Sequence, residues 1–93
     1  MGKYLVTYTE SAVKDLQKHK KSGNKAIIHK ITAILSELEE HPYTGTGKPE
    51  QLKYELTGFW ARRINQKDRI IYNVEEDIVT VEVISAMGHY GDK

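Results

Sequence analysis

Residues 3–8 alternate side-chain character and are rich in Tyr, Val and Thr, a pattern that predicts a short first strand. Thr9 follows as an N-cap, with Glu10 placed where a carboxylate suits the first turn of a helix. A helix is expected over residues 10–22, ended by Gly23. Its inner face is Ala12, Val13 and Leu16 with the stem of Lys20, and its outer face carries Lys14, Lys18 and Lys21. Asn24 caps a second helix that runs to His41 and stops at Pro42. Ile27, Ile31, Ile34, Leu35 and Leu38 fall on one stripe of it, the spacing of a core-facing helix.

Residues 42–49 bring Gly45, Gly47 and Pro49 close together and form a loop. Four strand-like runs follow, at 51–56, 59–65, 69–75 and 78–87, separated by turn signals at Thr57-Gly58, Gln66-Lys67-Asp68 and Glu76-Asp77. The order β-α-α-β-β-β-β implies an α+β fold, two N-terminal helices packed on one face of a largely antiparallel sheet. A three-residue loop at 66–68 would set Ile64 opposite Ile70 and Arg62 opposite Tyr72, joining their apolar sets. Arg63 and Arg69 would then share the face away from the helices. The preceding hairpin leaves Lys53 on either face.

Composition narrows the class. The chain has 93 residues, the size of one modest core, so a single domain spanning 1–93 is expected. There is no cysteine, which removes disulfides, thiolate zinc sites and cysteine nucleophiles and suits a reducing compartment. The N-terminus lacks an apolar leader, and no stretch approaches the ~20 apolar residues that span a bilayer, so a cytoplasmic protein without membrane association is expected. The net charge is only +1, unlike a dedicated nucleic-acid binder. The charge is unevenly placed, however. Residues 48–69 hold six bases (Lys48, Lys53, Arg62, Arg63, Lys67, Arg69) against three acids, whereas 75–82 hold four acids and no base. Such polarity suits an anion received on one part of the surface, and equally a set of solvated strand edges.

Gly45-Thr46-Gly47-Lys48 is not a phosphate loop, because that motif needs glycines five apart and a helix after the lysine, and here Pro49 and strands follow. His19, His29, His41 and His89 lack metal-ligand spacing, so neither a metal nor another cofactor is expected. The residues left for chemistry are Glu50, Lys53, Arg63, Arg69, His89 and Tyr90, each of which alone is an ordinary surface residue.

Their sequence contexts are more specific. Gly47-Lys48-Pro49-Glu50-Gln51-Leu52-Lys53, Leu56-Thr57-Gly58-Phe59-Trp60-Ala61-Arg62-Arg63-Ile64, Asp68-Arg69-Ile70-Ile71-Tyr72 and Gly88-His89-Tyr90 resemble, in order and spacing, the blocks of the YoeB/Txe toxins of the RelE superfamily. The resemblance implies a RelE-like, microbial-RNase-like fold and the toxin half of a type II toxin–antitoxin pair, one that enters the ribosomal A site and cleaves mRNA. It implies Glu50 as general base, His89 as general acid, Arg69 as stabiliser of the scissile phosphate, Tyr90 as a supporting aromatic, and Lys53 and Arg63 as phosphate-binding residues. The implied partners are a YefM-like antitoxin, the ribosome and mRNA, and a homodimer is compatible with the resemblance. Relatives often stop near the His-Tyr pair, whereas Gly91-Asp92-Lys93 follow here.

This residue set suits metal-free RNA cleavage. A 2′-OH beside its own phosphate needs a base for its proton, a cation for the phosphorane and an acid for the departing 5′ oxygen. Arginine suits the phosphate because its planar fork donates two parallel hydrogen bonds. A surface with so small a charge excess would bind free RNA only weakly, roughly 10⁻⁴ to 10⁻⁶ M, which argues for a scaffold that presents the substrate. On a ribosome the lysines of the first helix could touch ribosomal RNA. Rival readings are a ribosome-independent RNase, a non-nucleolytic relative of the gyrase-poisoning kind, and a degenerate module that only binds antitoxin.

Overall fold

The computed structural model describes residues 3–88. Its elements are β1 (Leu5–Tyr8), α1 (Glu10–Ser22), α2 (Lys25–Leu38), β2 (Glu50–Gln51), β3 (Phe59–Arg63), β4 (Arg69–Glu75) and β5 (Thr80–Ser85), with short 3₁₀ turns at Tyr54–Leu56 and Glu76–Ile78. The strands form one sheet in the order β1-β5-β4-β3-β2. Only β1 and β5 run parallel among its neighbouring pairs; the other three pairs are antiparallel. The expected α+β arrangement, two helices on a largely antiparallel sheet, is what the chain forms.

Both helices start as their caps dictate. The Thr9 hydroxyl accepts from Ala12 N–H, the Asn24 side-chain Oδ1 accepts from Ile27 N–H, and Gly23 closes α1 at φ 73°, a left-handed conformation that glycine takes without a Cβ penalty. Helix α2 is shorter than its pattern suggested. It ends at Leu38, and His41 lies beyond it because residues 39–42 already turn toward the loop.

The core lies between the helices and one sheet face. Ile31, Ile34 and Leu38 of α2 meet Ala12 of α1, Ile70 and Tyr72 of β4, and Val81 and Val83 of β5, all buried. Complete burial of each such aliphatic side chain contributes about 1.5–3 kcal/mol. The inner face of α1 differs from expectation: Val13 is 42% exposed, whereas His19 is only 4% exposed. Ala12, Leu16 and His19 recur at helical spacing and point inward, with Val13 rotated to the flank.

Two strand assignments change. The run 51–56 pairs only at Glu50–Gln51 and then coils into the 3₁₀ turn, where Leu56 N–H donates to Lys53 O and Thr57 N–H to Tyr54 O. Tyr54 has φ 60° and is 90% exposed, so burial does not hold this run extended. In the β3–β4 hairpin the register is offset by two residues from expectation. Arg62 faces Ile70 and Arg63 faces Arg69, because Asn65 lengthens the turn by accepting from Lys67 and Asp68 N–H through its side chain. An offset of two preserves the faces, so Arg63 and Arg69 do share the side away from the helices.

Candidate active site

The loop that delivers Glu50 is built around Arg62. That residue was counted among surface bases, but its side chain is fully buried. Period-two alternation puts it on the helix-facing side with Trp60 and Ile64. Its guanidinium donates to Glu37 Oε1 at 2.7 Å, to His41 O and Thr44 O at 2.8 Å each, and to Tyr72 Oη at 3.2 Å. The Tyr72 hydroxyl in turn donates a hydrogen bond to Pro42 O at 2.5 Å. Thr46 completes the knot by donating its N–H and hydroxyl to Glu37 at 2.8 and 2.6 Å. Burial pushes the Glu37 carboxyl up, but the Thr46 hydrogen bonds and the Arg62 guanidinium together outweigh it and hold this acid below its usual range.

From this knot the chain passes Gly47, whose carbonyl accepts from Arg63 N–H at 2.7 Å. A Cβ here would lie 2.8 Å from Arg63 O, and φ is 86°, so only glycine fits so close an approach. Lys48, at φ 54°, then turns the backbone into Pro49 and Glu50.

Glu50 pairs with Ala61, and Ala61 with Ile71, while Arg63 pairs with Arg69 one step along the same face. Glu50 and Arg69 are two strands apart, roughly 9–10 Å between backbones, yet Glu50 Oε1 lies 3.8 Å from Arg69 Nη1. The arginine reaches across β3, where Ala61 has too small a side chain to block it. Glu50 is 63% exposed and Arg69 20%, so the pair contributes little stability and is open to a ligand. Directly opposed arginines repel, and an anion placed between them would relieve that repulsion. Lys53 sits three residues past Glu50 at the start of the 3₁₀ turn, exposed and without an ion pair among the described residues. The structure brings Glu50, Arg63 and Arg69 to one face and leaves Lys53 at its margin.

His89 and Tyr90 lie outside the described residues, but the segment leading to them is fastened at two points. Ala86 donates its N–H to Asp15 Oδ2 at 3.0 Å and accepts from His19 Nε2 at 2.7 Å. Gly88 donates its N–H to Asp68 Oδ1 at 2.9 Å and accepts from Arg69 N–H at 3.0 Å. No sequence pattern gave Asp15, His19 or Asp68 this fastening role. The available signals were the inward spacing of His19 and the adjacency of Asp68 to Arg69. Among the described residues no group of three or more His, Asp or Glu side chains could hold a metal ion.

The chain is similar to known proteins over almost all its length. Residues 8–90 match the model of the YoeB-like toxin of bacterial type II toxin–antitoxin systems. Toxin YoeB of Mycobacterium bovis is 36% identical over 69 residues, 74% of this chain and 79% of that one. A YoeB/ParE toxin from Agrobacterium tumefaciens superposes with a TM-score of 0.84 at 30% identity, covering 92% of this chain and 99% of its own. The Staphylococcus aureus YoeB, solved as a dimer, gives 0.77 at 31% identity, covering 95% and 99% of the two chains. In a YoeB–YefM complex from the same organism the values are 0.75, 33%, 94% and 98%. Fold and sequence together define a toxin of a bacterial type II toxin–antitoxin system. Within that class, the chain belongs to the YoeB-like family.

Proposed function

We propose that the protein is an endoribonuclease that cleaves mRNA in the ribosomal A site and so arrests translation in the cytoplasm, until a YefM-like antitoxin covers its basic face. The observation that carries this reading is the convergence of Glu50 and Arg69, 3.8 Å apart, beside Arg63 on one exposed sheet face, with Gly88 hydrogen-bonded to the Arg69 backbone. Gly88, the residue that precedes the His89-Tyr90 pair in sequence, therefore lies beside the Arg69 backbone.

In this mechanism the Glu50 carboxylate takes the 2′-OH proton and the freed oxygen attacks the adjacent phosphorus. Arg69 and Arg63 donate to the equatorial oxygens as charge accumulates there. His89 protonates the departing 5′ oxygen, leaving a 2′,3′-cyclic phosphate and a 5′-OH, while Tyr90 supports that end of the site and Lys53 holds a flanking phosphate. The exposed pair separates easily when RNA arrives, because a solvent-screened ion pair at this distance is weak.

The need for a scaffold gains support from the distribution of charge. Arg62 and Asp68 are both buried, leaving five bases and two acids of the 48–69 region for the surface. Lys14, Lys18 and Lys21 are exposed on α1, on the other side of the sheet. Two basic surfaces on opposite sides suit a protein wedged between RNA elements better than one that grips a single free strand. YoeB of Staphylococcus aureus forms a complex with YefM and a dimer; we extend the antitoxin partner to this chain, and a homodimer fits the same likeness.

The test is cleavage of mRNA by purified protein with and without programmed ribosomes, using a substrate that lacks the 2′-OH at the scissile nucleotide as control. Cleavage that requires both the ribosome and the 2′-OH is expected. Equal rates on naked RNA would defeat the ribosomal part, and cleavage of the deoxy substrate would defeat the mechanism.

A further inference from the structure

Tyr54 is a residue whose conformation the stability of the fold does not explain. Its backbone sits at φ 60°, a left-handed conformation in which the Cβ of an L-residue crowds the following carbonyl, and the residue is 90% exposed. The ring therefore gains almost no burial to offset that strain. The conformation is imposed all the same. The Tyr54 carbonyl accepts from Thr57 N–H at 3.1 Å and from Thr57 Oγ1 at 2.6 Å, while Leu56 N–H donates to Lys53 O at 3.1 Å. For folding alone, glycine would serve better at this position. Backbone strain of this kind, held in place by its surroundings, gathers where a protein acts on a ligand.

The neighbouring residues point to the ligand. Leu52 N–H donates to Phe59 O, so the chain stays paired with β3 from Glu50 to Leu52 and turns away only at Lys53. Tyr54 follows Glu50 by four residues, within about 14 Å of it along the backbone, and adjoins Lys53. Among the described residues two other aromatic side chains are exposed, and neither is placed in this way. Tyr8 lies on β1, at the opposite edge of the sheet from β2. Tyr43 packs on Trp60 and donates its hydroxyl to Glu76. A single RNA strand is held by cations along its phosphates and by aromatic faces against its bases. Arg63, Arg69 and Lys53 supply the cations, and Tyr54 is the open ring next in the chain.

We propose that Tyr54 stacks on a base of the mRNA beside the cleaved bond. The inference rests on the endoribonuclease reading and adds a substrate-binding residue to it. A base pinned on a ring whose backbone is clamped fixes the ribose attached to it, and alignment of the 2′ oxygen with the phosphorus is worth orders of magnitude in rate.

The test is cleavage on programmed ribosomes of intact mRNA and of mRNAs made abasic, one position at a time, at the nucleotides flanking the cleaved bond. Tyr54→Ala should lower kcat/KM on intact mRNA by about 5- to 150-fold, the size of one base–aromatic stack. On the mRNA lacking the stacked base the same substitution should cost less than about twofold, because the partner is already gone. Tyr54→Phe and Tyr54→Trp keep a ring and should stay within about threefold of wild type. Tyr54→Gly should lose as much activity as Tyr54→Ala while melting no lower than wild type, since release of the left-handed strain offsets the freedom glycine adds to the unfolded chain. Full activity in Tyr54→Gly would overturn the proposal. So would an equal loss in Tyr54→Ala on intact mRNA and on every abasic mRNA, which would assign the ring to ribosomal RNA or to the turn. Either result beside normal wild-type cleavage leaves the nuclease reading in place, whereas a wild-type protein that cuts no mRNA on ribosomes would overturn both.

Discussion

Two arginine–glutamate pairs among the described residues differ in almost every physical respect. Arg62 and Glu37 meet at 2.7 Å with the arginine wholly enclosed, whereas Arg69 and Glu50 stand at 3.8 Å with the acid mostly in water. The inner guanidinium has its other donors committed to His41 O, Thr44 O and Tyr72 Oη; the outer one faces a second arginine across the strands. The same two residue types therefore make a fixture in one place and an open site in the other, and the fixture shapes the loop that carries the acid of the open site. Satisfied donors make Arg62 structural, whereas the Arg69 guanidinium, which makes no side-chain hydrogen bond to the other described residues, is available for an anion.

The contrast breaks most sharply at the inner pair. Arg62→Ala strips Glu37 of its cationic partner and takes the guanidinium hydrogen bonds from His41 O, Thr44 O and Tyr72 Oη, and should cost about 3–5 kcal/mol, a large share of the ~5–15 kcal/mol that stabilises a domain. Thermal or urea unfolding reads this directly, and a loss below about 1 kcal/mol would show that the knot relaxes around the gap. At the outer pair the effect should fall on chemistry: Glu50→Ala and Arg69→Ala are each expected to slow cleavage by about 10²-fold or more with stability changed by less than about 0.5 kcal/mol. A melting temperature that drops with the activity would mean that this pair, too, supports the fold.

Acid sharpens the comparison further. Because Glu37 is held below its ordinary range in the folded chain, its contribution is present above the unfolded value near 4.5 and is lost as pH falls through the folded one. Melts taken from neutral pH down to about pH 2.5 should show this loss, and Glu37→Gln should flatten the acid limb. Inorganic phosphate offers a gentler probe of the outer site. At a concentration equal to its dissociation constant it should add about 0.4 kcal/mol of stability to the native protein and none to an Arg63→Ala, Arg69→Ala double variant. The smallest effect is expected at high pH. Burial and the hydrogen bond to Glu76 push the Tyr43 phenol up to about 12, so its favourable contribution is complete below pH 10 and fades toward 12. Tyr4, Tyr8 and Tyr72 are also pushed above the ordinary phenol value, so absorbance titration should find several late phenols, and Tyr43→Phe should remove the component near 12.

Much of this architecture could be read along the chain. The stripe on α2, the caps Thr9 and Asn24, the stop at Gly23 and the full extent of β4 follow from local rules that the tertiary structure does not oppose. Arg63 and Arg69 fell on the correct face even with the register offset by two, because side-chain alternation survives an even shift. What escaped was polar and long-range. Alternation alone puts Arg62 inside, but a charged residue reads as exposed until its partners Glu37, Thr44 and Tyr72 are known, and these lie in three separate elements or loops. Val13 and His19 exchanged places because helix rotation is set by packing on β5 and the tail, which an isolated amphipathic pattern cannot fix. Residues 51–56 alternate like a strand, yet Leu52 alone continues the hairpin by donating to Phe59 O. The two-point fastening of Ala86 and Gly88 depends on Asp15, His19 and Asp68, each far from the tail in sequence.

The parallel pairing of β1 with β5 bears on how the protein comes to exist. Among the described residues β1 finds its one sheet partner in β5, the strand furthest from it in sequence, and the Thr9 hydroxyl waits 75 positions for Ile84 O. Pairings of such long sequence separation form slowly, and a chain lacking β5 leaves β1 without its partner in the sheet. On this plan the sheet is completed across 75 positions of sequence, so β1 gains its place in the fold only once β5 has been made.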